Sequence, residues 1–182
     1  MLPTRQGGAW TTELATRDIV PFLCYIPKER GYTDADLDLE ELDRLDAIWK
    51  ARGDTFDMIY EDGKVTVAQI MDDVLAAGYA EKTIKRGVIS AARDEPRTTF
   101  GHMYSPQNMD GPLRISISAP SEDDYDGIDV KFVNANGWVD DTVPCRIDGD
   151  AGRKVETITA VGVTDRDRAW RYGMRRRMAQ RY

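Results

Sequence analysis

The sequence contains few of the side chains from which catalytic and metal sites are usually built. Its 182 residues include one histidine and two cysteines. Cys24 and Cys145 are too few and too far apart for a disulfide framework, and no Cys-x-x-Cys spacing indicates a metal site. We therefore expect both to be reduced thiols in the core, where cysteine packs as a small hydrophobic residue.

Long apolar segments are missing as well. No apolar run approaches the length that spans a bilayer, and residues 1–8 lack the apolar centre of a signal peptide. These absences predict a protein without a membrane segment that is synthesised in a cytoplasm. With 41% hydrophobic and 31% charged residues, the composition is that of a folded globular protein.

Positive charge is scarce relative to negative charge. The formal net charge is -7, which disfavours nonspecific attraction to nucleic acid or to an anionic membrane. The only basic run is residues 175–177, all arginine, and no aromatic residues are interleaved with it. We interpret it as a solvated helix end and predict no specific nucleic-acid binding.

Two acidic segments are the candidates for a metal site. Residues 34–38 alternate aspartate like the start of a calcium loop, but Leu39 stands where glycine is needed and Leu45 where a bidentate glutamate is needed. Residues 122–127 contain four carboxylates and a glycine, a composition typical of a hairpin tip. We predict solvated acidic loops and no metal.

The sequence shows no combination of nucleophile, general base and orienting residue that would form a catalytic site. The sequence identifies neither a nucleophile nor an orienting residue to act with His102, and neither cysteine has a nucleophile signature around it. The sequence therefore predicts no catalytic residue, no cofactor, no small-molecule substrate and a protein that is not an enzyme. An intracellular enzyme or ligand-binding domain with a site built from the acidic loops stays open as the alternative.

Apolar residues repeat at helical spacing in three early segments and one late one. Asp18, Asp38 and Thr66 are candidate N-caps, and the three early helices are predicted over residues 18–26, 38–53 and 66–78. The closing helix is predicted to begin at Thr164, capped by Thr164 and Asp167. Its arginines gather near its end, where they complement the helix dipole.

Strand-forming residues, separated by Pro, Gly, Asn and Asp, fill much of the remainder. They predict strands over residues 9–15, 56–60, 80–84, 87–92, 113–119, 127–134, 139–147 and 154–160. The fold class is therefore α+β, with helices in the first half, a mostly antiparallel β-sheet in the second half and a closing C-terminal helix. We expect an arm or linker over residues 1–9 and a single domain over 10–182, with a subdivision near residue 97 as the alternative.

A stripe of large apolar residues runs along the closing helix. Trp170, Met174 and Met178 recur every four residues and so lie on one helix face. Core packing explains such a stripe, but tryptophan and methionine are also enriched at protein interfaces. The three residues are our candidates for an interface.

Five short segments occur in a characteristic order. An Arg-Gly-Tyr turn follows the first helix, and an acidic lead enters the second. A hairpin then closes on Asp and Pro, a later strand ends in an Asn-Gly turn, and the last helix begins with Gly-Val-Thr. These segments are residues 30–32, 36–40, 91–96, 129–137 and 162–171. Together they resemble the central tail-tip hub, or host-specificity, proteins of long-tailed bacteriophages.

The resemblance implies architecture rather than chemistry. It implies a structural virion protein of a phage or prophage baseplate hub, made in the bacterial host cytoplasm and located at the tail tip. There it would contribute to assembly, host attachment and DNA delivery. Its expected partners are two further copies of itself, in a ring of three, and neighbouring tail-tip proteins. Because the family's proteins are much longer, the resemblance also implies that this chain is one internal segment.

Overall fold

The protein is an α+β fold with four helices and seven strands in the part that the structure describes. The computed structural model describes residues 1–60, 64–96, 98, 103–105, 107–116 and 124–181. The elements follow in the order β1 (Leu2–Gln6), β2 (Ala9–Leu14), α1 (Ile19–Lys28), α2 (Leu39–Arg52), α3 (Val67–Ala77), β3 (Ala80–Lys85), β4 (Val88–Arg93), β5 (Gly127–Asn134), β6 (Val139–Cys145), β7 (Val155–Thr159) and α4 (Arg166–Arg181).

Short-range signals set the ends of α2 and α3, as the sequence predicts. The side chain of Asp38 accepts a hydrogen bond from the Glu41 amide at the start of α2, and Gly53 ends that helix in the left-handed conformation at φ 70°. The Thr66 hydroxyl accepts from the Gln69 amide at 3.2 Å at the start of α3. Each contact satisfies an amide that has no partner inside its helix.

The strands form three small sheets. The β1–β2, β3–β4 and β5–β6 pairs are antiparallel, whereas β5 and β7 pair in parallel in the sheet order β6-β5-β7. Helix α4 lies across β5 and β6. This crossing gives the sheet one buried face, on which Ile128, Val130 and Phe132 of β5 are buried at alternate positions.

Three predicted segments differ from the structure. Residues 2–6, assigned to an arm, form β1, in which the hydroxyl of buried Thr4 bonds Thr11 at 2.7 Å. Residues 56–60 form no strand, because Phe56 and Asp57 bond two separate segments instead of one continuous partner. Residues 113–116 are likewise outside any strand, and 117–119 lie outside the described residues.

One hydrophobic core joins the two halves of the chain. Buried residues from α1, α2, α3, β5, β6 and α4 belong to the same cluster, on both sides of residue 97. Glycines allow close approaches in this core, and two of them position α4 and the loop before it. Gly162, at φ 68°, lies against the ring of Phe56, and Gly173 of α4 lies against Val130 and Cys145 of the sheet. A β-carbon at either position would overlap those side chains.

No helix in the described ranges is both long enough and apolar enough to cross a membrane.

Replacing Thr66 with alanine is expected to lower the free energy of unfolding by about 1 kcal/mol, the usual cost of losing an N-cap. Gln69 is the matched control, because only its backbone amide, and not its exposed side chain, takes part in the cap. Chemical denaturation of both alanine variants measures the difference. Equal midpoints for Thr66→Ala and the unmodified protein would show that the cap does not stabilise α3.

Candidate functional site

The first acidic segment is engaged in structural contacts. Asp34 pairs with the Lys28 ammonium at 2.6 Å and accepts a hydrogen bond from Trp10 Nε1 at 2.7 Å. Asp36 accepts from both the amide and the hydroxyl of Thr33, at 2.7 and 2.8 Å. These carboxylates are therefore turned toward donors of their own fold, and they do not converge on a common point.

The second acidic segment is described only from Asp124 onward. Asp126 accepts hydrogen bonds from the backbone amides of Arg153 and Lys154, at 2.9 and 2.7 Å, and these bonds lower its pKa. Residues 122–123, and His102, lie outside the described residues. Within the described ranges, no group of three or more His, Cys, Asp or Glu side chains is arranged to hold a metal ion.

Both cysteines are buried free thiols, as the sequence predicts for core residues. Cys24 lies in α1 and Cys145 in β6. Burial raises the pKa of Cys24 to about 12 and that of Cys145 to about 11. The thiolate is the reactive form of cysteine, and these raised pKa values keep both thiols protonated near neutral pH. Neither cysteine therefore has the low pKa of a nucleophile.

We expect an aromatic disulfide reagent to label neither cysteine quickly in the native protein at pH 8, and to label two in the denatured, unreduced protein. The burial of both thiols and their raised pKa values are the reason. Absorbance of the released thiolate counts the sites. A Cys24→Ala variant calibrates the count at one, and no labelling after denaturation would contradict the prediction by indicating a disulfide.

A small hollow beside β5 and β6 is lined by Asp57, Lys131 and Asp141, among others. Asp57 forms a bidentate salt bridge with Arg17, in which both contacts are 2.5 Å, and it accepts a hydrogen bond from the Thr164 hydroxyl at 2.9 Å. These contacts fasten the loop before α4 to the segment after α2. Asp57 is therefore held as a structural group in this hollow.

A contact within one turn fixes the start of helix α4. Asp165 accepts a hydrogen bond from the Arg168 amide at 2.9 Å, so Asp165 is the cap, and the predicted caps Thr164 and Asp167 are wrong. The Thr164 hydroxyl is instead used in the contact with Asp57. Helix α4 consequently begins at Arg166, two residues later than predicted.

Two arginines of α4 are buried and hold the helix on the protein. Arg168 donates to the hydroxyl and the carbonyl of Thr55, at 2.8 and 2.6 Å. Arg177 forms a two-pronged pair with Asp150 at 2.8 and 2.6 Å and donates to the Tyr125 carbonyl at 2.7 Å. The prediction that residues 175–177 form a solvated helix end is therefore wrong for Arg177.

The predicted interface stripe is only partly packed into the core. Trp170 and Met178 leave 45% and 50% of their surface exposed, whereas Met174 is half-buried and contacts the core. A core stripe would bury all three. The structure thus leaves about half of the surface of two large apolar side chains of α4 open to solvent.

These side chains lie in an open groove of about 1190 Å³, which we call the arginine groove. It runs between α4 and the base of the β3–β4 hairpin, with Ile158 of β7 on one side. Its apolar lining includes Trp170, Met174 and Met178. Its described lining also carries two carboxylates, Glu81 and Asp94, and five arginines, namely Arg52, Arg93, Arg171, Arg175 and Arg176.

The arginine groove is thus a locally basic surface on an acidic protein. Two of its guanidinium groups make no hydrogen bond within the described residues: Arg93, whose side chain is 9% exposed, and Arg171, at 36%. Their nearest carboxylate oxygens are 3.6 Å away on Glu95 and 4.0 Å away on Asp54. Each guanidinium therefore retains donors that a carboxylate could fill.

Sequence reasoning found the apolar stripe but missed the groove. Spacing along α4 places Trp170, Met174 and Met178 on one face. Arg52 and Arg93 reach the same place from the end of α2 and the end of β4, and no local signal joins them to α4. The arginines of the groove come from three separate elements and meet only in the folded structure.

No family model and no curated protein matches this chain.

Proposed function

We propose that this protein is a structural component of a phage or prophage tail tip, a module of the baseplate hub that assembles through the outer face of α4. The observation that supports an assembly role is the exposure of Trp170 and Met178 in the arginine groove. Exposed large aromatic and methionine side chains in one place are typical of protein contact surfaces. The tail-tip location rests on the resemblance of the segments from Arg30 to Arg171.

The contacts of α4 support a structural role. Buried charge pairs and close glycine contacts fix the helix on the sheet, so its outer face is presented rigidly. A rigid surface loses little conformational entropy on assembly, which favours a stable contact. In the proposed role the module lies in the virion tail tip, and it contributes to assembly, host attachment and DNA delivery.

The alternative function, an enzyme or ligand-binding domain built on the acidic loops, receives less support. The carboxylates of Asp34, Asp36 and Asp126 accept hydrogen bonds from neighbouring groups of the same fold. An active site needs groups that converge on a substrate position. In the described ranges the acidic segments offer no such convergence.

Light scattering tests the proposed assembly. The protein expressed from its full reading frame is expected to be a trimer, and the double variant Trp170→Glu, Met178→Glu is expected to be a folded monomer, because charge on an apolar interface prevents its burial. Met174 is left unchanged because it packs against the core.

The matched control is Ile84→Glu on the β3–β4 hairpin, where the side chain is 76% exposed and outside the arginine groove. It changes an exposed apolar residue to the same charge and should leave the trimer intact. A trimeric Trp170→Glu, Met178→Glu variant would show that the outer face of α4 is not the contact. A monomeric unmodified protein would contradict assembly by self-association.

A further inference from the structure

We propose that the arginine groove binds an acidic segment of a partner protein, in which carboxylates alternate with apolar side chains. This inference rests on the proposed role of α4 as an assembly surface and names the chemistry of what that surface takes. It is carried by the charge of the groove, by the unfilled donors of Arg93 and Arg171, and by the exposed apolar residues beside them.

Charge complementarity identifies the sign of the partner. Five arginines and two carboxylates line the groove in its described part, while the whole chain has a formal net charge of -7. The remaining surface is therefore acidic on average and disfavours an acidic segment. Such contrast favours one docking position over others.

The arginine contacts show that the groove is incompletely paired. Elsewhere, Arg5 and Arg177 each form two-pronged pairs with aspartate, with distances between 2.6 and 2.8 Å. Arg93 and Arg171 have only longer ion contacts and no hydrogen bond in the described part of the chain. Arginine in a partly buried setting gains most from a planar carboxylate that accepts two bonds, so these two positions are the expected seats for partner carboxylates.

Trp170 and Met178 indicate that the partner segment also carries apolar side chains. Their exposed surfaces lie on the same helix as Arg171, within the same groove. A segment that carried only carboxylates would leave these apolar surfaces in water. Apolar side chains of the partner, seated against Trp170 and Met178, would bury them and exclude water from the arginine contacts.

A nucleic acid is the other polyanion that a basic groove attracts, and the lining disfavours it. Single strands bind to a series of aromatic platforms along a basic track. Of the three aromatic side chains in the described lining, Tyr79 is buried, Tyr172 packs against the core and only Trp170, at 45%, is exposed. The lining also includes the carboxylates of Glu81 and Asp94. A protein segment with spaced carboxylates suits this mixture better than a continuous chain of phosphates.

The test selects ligands without assuming their sequence. The full chain is immobilised and panned against a library of random 12-residue peptides, and the enriched peptides are measured by fluorescence anisotropy at physiological salt. The expected peptides combine Asp or Glu with Leu, Phe or Trp. A labelled 12-nucleotide oligo-dT strand is measured in parallel.

The groove variant is Arg93→Gln, Arg171→Gln, and its matched control is Arg30→Gln, Arg114→Gln, which removes the same charge at exposed positions outside the groove. The groove variant is expected to bind the selected peptides on the order of tenfold to a hundredfold more weakly, because the charge-assisted hydrogen bonds from both arginines are lost. The control should bind them within about twofold, as expected for distant surface charges. If the groove variant melts early, Arg171→Gln alone replaces it, since that side chain is more exposed.

Enriched peptides without acidic residues would overturn the inference, as would equal affinity for the groove variant and the control, or tighter binding of oligo-dT than of the peptides. A trimer that depends on Trp170 and Met178, in a protein that selects no acidic peptides, would remove this inference and leave the proposed function standing. A monomeric protein that binds acidic peptides through Arg171 would do the reverse.

Discussion

Substitution of Arg177 by methionine is expected to lower the free energy of unfolding by about 3 kcal/mol, although the position lies in a run of arginines at a helix end. The side chains of Arg177 and Asp150 are 7% and 3% exposed. Removing one partner of a buried pair leaves the other charge without compensation, which costs about 3–5 kcal/mol. The lower value is expected because the Ile147 amide and Arg181 remain near Asp150.

The neighbouring Arg176→Met variant is the control. Arg176 is more than half exposed and pairs with Glu156 at 3.5 Å, so its loss should cost less than about 1 kcal/mol. Denaturant unfolding of both variants measures the contrast. Equal destabilisation by the two substitutions would show that Arg177 contributes no more than a surface arginine.

The same pair predicts a dependence on pH. The hydrogen bonds from Arg177 lower the pKa of Asp150 to about 2, below the value of about 3.9 in an unfolded chain. The folded state therefore favours the carboxylate, and this stabilisation is present above about pH 4 and is lost as the pH falls toward 2. The melting temperature of the unmodified protein should exceed that of Asp150→Asn at pH 7, and the difference should shrink between pH 4 and 2.5. A constant difference over that interval would contradict the assignment.

Replacing Gly173 with leucine is expected to destabilise the protein by about 3 kcal/mol or more, the upper range for overpacking. A β-carbon at this position would overlap Cβ-branched Val130 and the Cys145 sulfur, both buried in the sheet. Neither neighbour can turn away into solvent. Helix α4 would have to move off β5 and β6, and the contacts that bury its inner face would weaken.

Ala179→Leu adds similar bulk at an exposed position of α4 and should change the free energy of unfolding by no more than about 0.5 kcal/mol. Thermal or denaturant unfolding compares the two. Gly173→Ala is the intermediate case and should already be destabilised, because the overlap begins at the β-carbon. A fully stable Gly173→Leu protein would mean that α4 sits further from the sheet.

The two substitutions concern buried residues of α4, and the two proposals concern exposed ones. Arg177 and Gly173 are buried and hold α4 in place, while Trp170 and Met178 are about half exposed and are offered to a partner. Helix α4 has alanine, glycine and buried arginine where it meets the protein. Tyr172 and Met174 of the same helix pack against the core, whereas about half of the surface of Trp170 and Met178 stays exposed.

The sequence alone determined the elements whose signals are local. Helices α2 and α3 are capped by Asp38 and Thr66 and end before Gly53 and Gly78, where the sequence places them, because caps and glycine act within a few residues. Strands β3 to β7 also lie where turn residues bound runs of strand formers. These elements and their α+β class follow from short-range preferences.

Only the tertiary structure decided what depends on distant partners. Residues 2–6 pair with β2, residues 56–60 bond Arg17 and Gly162 instead of a strand, and Arg177 finds a buried carboxylate 27 residues away. The same holds for the arginine groove, which collects side chains from α2, β4 and α4. Spacing along the chain reports which side chains share a helix face, but burial depends on what the fold brings against that face.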